Sequence, residues 1–194
     1  MWFHQGEWDA ALADVDDVLG KDGMPLARMW PLMIADLVPL RRGERSETGS
    51  ALESAWDLCT SIDEPLRRLS VLSALAEVMW MTGHADERVS GEGVRDVELL
   101  ADTPGAEWAV GELATWLARL RLLPDARTPV AEPYRLAFSG QHAEAAGWWR
   151  RIGDPFTEAL TLSDSPDPGL QARAVAQLHE LGAKGTADRL TARR

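Results

Sequence analysis

The sequence predicts an all-α fold in which antiparallel helix pairs stack in a row as an α-solenoid, and three observations predict it. Apolar residues recur at spacings of three and four and almost never alternate at the period of two expected of strands. Glycine and proline signals cut the chain into helix-length pieces. Gly6, Gly43, Gly83, Gly140 and Gly182 each close a helical stretch and recur about every 40 residues, with one longer interval, near the length of a helix-pair repeat.

Each element follows from its local chemistry. MWFHQGEWDA turns at Gly6 and leads into a helix that ends by Gly20 and Gly23. The run GMPLARMWPLMIADLVPLRR carries Pro31 and Pro39 inside a helical pattern. Because proline lacks an N–H and crowds the preceding turn, this helix must start late, kink or stop early before Gly43. Leu52, Ala55, Trp56 and Cys59 form the next stripe, closed at Asp63 and Pro65. Leu69, Leu72, Ala76, Met79 and Trp80 form another, closed by Gly83. After Thr103 and Pro104 comes the stripe Ala109, Leu113, Trp116, Leu117 and Leu120. LLPDARTPVAEP, residues 122 to 133 with Pro124, lacks a helical pattern and is read as a bend or subdomain seam. Shorter helices follow, punctuated by Gly140, by Gly153 with Pro155 and by Pro166 with Pro168; a last stripe of Ala174, Val175, Leu178 and Leu181 ends at Gly182.

A chain of 194 residues buries roughly 70% of its unfolded surface in a single core and needs no disulfide or metal to do so. One domain spanning 1–194 is expected. The single cysteine, Cys59, sits on an apolar stripe and reads as buried filler in a reducing, cytoplasmic setting. No basic leader opens the sequence, and no apolar run approaches the ~18 residues of a membrane span. A net charge of -11 opposes phosphate, so direct binding of nucleic acid is not expected. All but two of the 20 basic residues are arginine and asparagine is absent, a composition consistent with a GC-rich genome.

The turns are more specific. Gly6-x-Trp8-x-x-Ala11, Gly140-x-His142-x-x-Ala145 and, more weakly, Gly182-x-Lys184-x-x-Ala187 share one spacing. Glycine accepts the left-handed helix cap, and the alanine admits the partner helix at close range. This spacing resembles the tetratricopeptide repeat, and the resemblance implies a right-handed superhelix. Thr48 and Arg88 replace the alanine after Gly43 and Gly83, so those two repeats are degenerate, and HEAT-like or irregular pairs stay open. GELATWLARLRLLP, VAEPYRLAFSGQHAEAAGWWRRIGDPFTEALTL and AVAQLHELGAKGTADRLTARR together resemble the end of the tetratricopeptide-like region in large ATP-binding, LuxR-type (MalT-like) transcriptional regulators. In that family the helical region lies between an ATPase and a helix-turn-helix and receives the signal. The sequence contains no G-x-x-x-x-G-K-[ST] phosphate loop. With Trp2 and Phe3 just ahead of the first repeat turn, the chain is expected to be an excerpt or remnant of a longer protein.

Candidate site residues are few. In GWWRR, Trp149 continues the helix face of Ala145 together with Ile152 and should be core, whereas Trp148 lies about 100° away and either covers a neighbouring helix or stands at a groove rim as a binding anchor. Arg28, Arg67, Arg68 and Arg119 could meet acidic groups bidentately or simply solvate helix surfaces. Asp14, Asp16 and Asp17 lack the glycine and closing glutamate of a calcium loop. His84, Asp86 and Glu87 sit at a turn without a second histidine at helical spacing, and no G-x-S-x-G signature occurs. The expected function is therefore non-catalytic, with no cofactor and no metal: a sensor or partner-binding module of a LuxR-type regulator that takes a protein, a peptide or a small-molecule effector in a concave groove. The alternatives are a free-standing scaffold that bridges partners or self-associates as a homodimer through an uncovered end repeat, and a small all-helical enzyme.

Overall fold

The computed structural model describes residues 2–21, 24–44, 49–62, 64–123 and 129–192. Gly23, Thr48, Asp63, Pro124 and the middle of the expected 122–133 bend lie outside them. Every regular element among the described residues is helical, in agreement with the all-α expectation. The helices are α1 (Trp8–Leu19), α2 (Met29–Arg42), α3 (Ser50–Ile62), α4 (Pro65–Thr82), α5 (Val94–Leu99), α6 (Glu107–Arg119), α7 (Glu132–Phe138), α8 (His142–Ile152), α9 (Pro155–Ser163), α10 (Pro168–Glu180) and α11 (Lys184–Ala192). A short 3-10 turn, Pro25–Arg28, precedes α2, and a π-helical turn, Arg88–Gly93, precedes α5.

Proline placement explains several starts. Pro65, Pro155 and Pro168 occupy the first turns of α4, α9 and α10, where an N–H would have no intrahelical partner. Asp154 and Asp167 cap α9 and α10 by accepting from the backbone N–H groups of Thr157 and Gly169. The helix around Pro31 and Pro39 does start late, at Met29, so that Pro31 falls in its first turn. Pro39 lies inside α2, which nonetheless continues to Arg42 and closes on Gly43 in the left-handed conformation.

Helix α4 is the centre of the core. Leu69 and the unbroken run from Val71 to Glu77 are buried, as is Trp80, so this helix is covered on all sides. It packs against α2, α3, α5, α6 and α11. Consecutive helices pair along the chain, but the last does not stop at its neighbour: α11 returns to lie against α2 and α4. The Arg189 Nε donates to the Trp80 carbonyl at 2.8 Å. The N-terminal segment closes the other side, with Phe3 buried and His4 bonded to Asp154, 150 residues away. In a simple row each helix pair would touch only the next. Here α11 returns to α2 and α4, and the N-terminal segment reaches the start of α9.

The α2–α11 contact depends on two glycines. A Cβ placed on Gly185 would lie 2.6 Å from the Gly43 nitrogen and 2.7 Å from both the Gly43 Cα and the Leu40 carbonyl oxygen. The clash is with backbone, which has little room to yield. Gly185→Ala is therefore expected to destabilise the fold by roughly 1–3 kcal/mol in urea unfolding. Gly147→Ala, in α8 and near only the tip of Arg151, is expected to be neutral or to stabilise by up to about 1 kcal/mol. Equal effects of the two substitutions would show that the α2–α11 approach contributes nothing.

Candidate functional site

Between the N-terminal segment and helices α2, α4, α6, α7, α8 and α9 lies a cavity of about 450 Å³, within the range of small-molecule sites. Helix α6 supplies one wall because Trp108, Glu112, Thr115 and Arg119, spaced by four, three and four, face inward together with Trp116. Helices α2 and α4 supply Met33, Leu37, Arg41, Ser73 and Glu77, while α7 to α9 add Tyr134, Trp149, Asp154 and Phe156.

Aromatic rings dominate the α6–α8 side. Tyr134 lies edge-on to Trp149 at 5.2 Å between centroids, and Trp108 lies edge-on to both at 6.0 and 6.1 Å. Gly111 makes this possible, since a Cβ there would come within 2.2 Å of the Tyr134 ring. Three large apolar lining residues are also substantially open to solvent: Trp30 at 40%, Trp108 at 48% and Ile152 at 52%. They form an apolar rim, each on a different helix.

Four carboxyls line the same space. Glu77 is buried and accepts from Arg41 through two bonds, 2.6 and 2.7 Å. Asp164 accepts from Arg119, whose Nη2 is 2.7 Å away. Asp154 accepts from the Thr157 N–H at 2.9 Å and hydroxyl at 3.0 Å, with His4 Nδ1 at 3.1 Å. The Thr157 proton thus goes straight to the carboxylate and His4 does not stand between them, which differs from a hydroxyl–histidine–acid relay.

Glu112 alone is bonded to none of the described residues. Burial raises its carboxyl from 4.5 to about 7; the charges of Glu77 and Asp154 push the same way, against His4 and Arg41. Tyr134 is pushed well above the ordinary phenol range by burial and by the neighbouring Glu112 and Asp154 charges, so it stays neutral.

The residues singled out from sequence are dispersed. Arg119 lines the cavity, paired to Asp164 with its guanidinium 4.6 Å from the Trp116 ring centroid. Arg68 bonds the buried Asp96 at 2.6 Å and ties α4 to α5. Arg67 pairs with Glu64 at the exposed start of α4. Trp148 is half-buried under Arg151, 5.0 Å from its ring centroid, and does not line the cavity. Trp149 is buried as expected, with one side on the cavity wall. Ile152, placed on the same core face, is instead largely exposed because α8 ends there at Gly153. Asp86 is occupied by Arg88, and Cys59 is buried. No group of three metal-binding side chains occurs among the described residues.

Glu112, Arg41, Glu77, His4 and Asp154 escape sequence reasoning. Glu112 has the spacing of an ordinary amphipathic helix, and the His4–Asp154 pair has no local pattern. Only Glu77 leaves a trace, as one acid inside the apolar run SALAEVMW.

The Glu112 carboxyl has a higher proton affinity in the folded chain than in the unfolded one, so its contribution favours folding below pH 4.5 and is lost as pH rises through about 7. Glu112→Gln is expected to match the parent near pH 4 and to exceed it above pH 7.5 by up to about 3 kcal/mol. Thermal melts across this range check the sign; a variant less stable at high pH would mean that the carboxylate has a favourable partner.

Comparison with protein-family models, with curated proteins and with solved structures finds no match. No described helix is long and apolar enough to cross a membrane.

Proposed function

We propose that this chain is a non-catalytic sensor module that takes a small-molecule effector into its aromatic cavity and passes occupancy to a larger assembly, as the helical region of a LuxR-type regulator does. The cavity carries the proposal. It has a suitable volume, an apolar rim, aromatic walls, and a small set of polar groups held in place by buried ion pairs. Its walls come from elements far apart in the sequence, from Phe3 to Asp164, so a bound molecule would bridge them and favour the closed arrangement over any more open one. The LuxR-type assignment rests on the tetratricopeptide-like turns and on the resemblance of the last ninety or so residues.

A thermal-shift screen of small metabolites on the full chain tests the site. A true ligand at 100 times its dissociation constant should stabilise by about 2.7 kcal/mol. That shift should be strongly reduced in Trp108→Ala, which removes a half-exposed rim side chain, and should persist in Trp148→Ala. Loss in Trp148→Ala alone would move the site to the outer face of α8 and favour a protein or peptide partner.

The regulator assignment has a separate test. An antibody against these 194 residues should detect, in source-cell lysate, a protein several times longer than this chain. A band of the chain's own size would favour the free-standing scaffold.

A further inference from the structure

Charge and hydrogen-bond accounting at the cavity wall narrows the ligand class. Both wall guanidiniums are taken, Arg41 by Glu77 and Arg119 by Asp164, each through bonds from Nε and Nη2. An anionic ligand would meet four carboxyls and no unpaired arginine. Glu112 has no cation within bonding distance among the described residues, so its carboxylate, once ionised, has no partner there. Hydroxyls add to the asymmetry. Ser73 Oγ donates to the Leu69 carbonyl at 3.0 Å, Thr115 Oγ1 to the Gly111 carbonyl at 2.8 Å, and Thr157 Oγ1 to Asp154 at 3.0 Å. A hydroxyl that has spent its single proton offers only lone pairs. The ion-pair balance of the wall therefore favours a ligand that brings a positive charge, which an ammonium group supplies with three N–H bonds and no acceptor. The aromatic side welcomes the same ligand, since ring faces attract cations and ring area covers an apolar body.

We propose that the cavity binds a protonated primary amine carried on an apolar, aromatic-sized body, with the ammonium against Glu112 and the body against Trp108, Tyr134 and Trp149. This rests on the cavity being the binding site. The wet side of the pair is also pH-sensitive: the Glu112 carboxyl holds its proton up to about pH 7, and the amine needs it ionised. Affinity should fall by up to about tenfold for each pH unit below 7. The charged and titratable groups around Glu112 are His4 on the N-terminal segment, Arg41 on α2, Glu77 on α4, Arg119 on α6, Tyr134 on α7, and Asp154 and Asp164 at the two ends of α9.

The test is calorimetry on the full chain with three matched series: 2-phenylethylamine and tryptamine, the corresponding alcohols, and the corresponding carboxylic acids. The amines should bind best, weaken at least ~10-fold in Glu112→Gln, and lose their pH slope in that variant while keeping it in His4→Gln. Alcohols or acids that bind as tightly as the amines and weaken in Trp108→Ala would overturn the amine proposal and leave the cavity as the site. Unchanged amine affinity in Glu112→Gln would also overturn it. If no series binds in a Trp108-dependent way, both the amine and the cavity assignment fail.

Discussion

The fold turns on one buried ion pair. Arg41, near the end of α2, and Glu77, in the middle of α4, are each almost fully buried and meet through two parallel bonds. The guanidinium is also held between rings, 4.4 Å from the centroid of Phe3 and 3.7 Å from that of Phe156. A buried charge without its partner costs about 3–5 kcal/mol, so α2 and α4 can pack in this core only in the register that brings the two together. By stacking on Arg41, the N-terminal segment and α9 join the same arrangement. Four parts of the chain are thus positioned by two side chains that contribute little net stability as a pair but exclude other packings.

Smaller versions of this device join other helices. Arg68 with buried Asp96 joins α4 to α5, Arg150 with buried Glu158 joins α8 to α9, and Arg119 with Asp164 joins α6 to α9. Exposed pairs such as Lys21 with Asp17 add little, since water and salt screen them. Charge therefore acts in this acidic protein as an internal set of registers between helices, and two of the pairs, Arg41 with Glu77 and Arg119 with Asp164, stand in the cavity wall. Glu112 fits that picture as the carboxyl left without a register partner.

Close approach is the second constraint. Gly185 against Gly43 and Gly111 against Tyr134 are places where a single carbon atom would separate two elements. Both glycines lie within helices, where glycine costs about 1 kcal/mol relative to alanine. The first contact brings α11 back onto α2; the second lets the Tyr134 ring of the cavity wall lie directly against α6.

Helix positions were legible from the residues themselves because they depend on neighbours three and four apart. Leu69, Leu72, Ala76 and Trp80 of one stripe are buried with Met79 half-buried, Leu113, Trp116 and Leu117 of another are buried, and the glycine stops at Gly43, Gly83, Gly140, Gly153 and Gly182 all adopt positive φ. Arg119, read from sequence as a candidate for a partner's acidic group or as helix-surface charge, pairs with Asp164 of the same chain, 45 positions away. What the sequence determined by itself was an all-helical chain with one acidic surface, breaks at known places and no local catalytic signature. Tertiary structure decided the return of α11 to α2, the meeting of His4 with Asp154 and of Arg41 with Glu77, and therefore the cavity and its unpaired carboxyl. Those contacts join residues from 36 to 150 positions apart. Such pairings are set by packing and charge balance in three dimensions, and a periodicity of three or four residues carries no information about them.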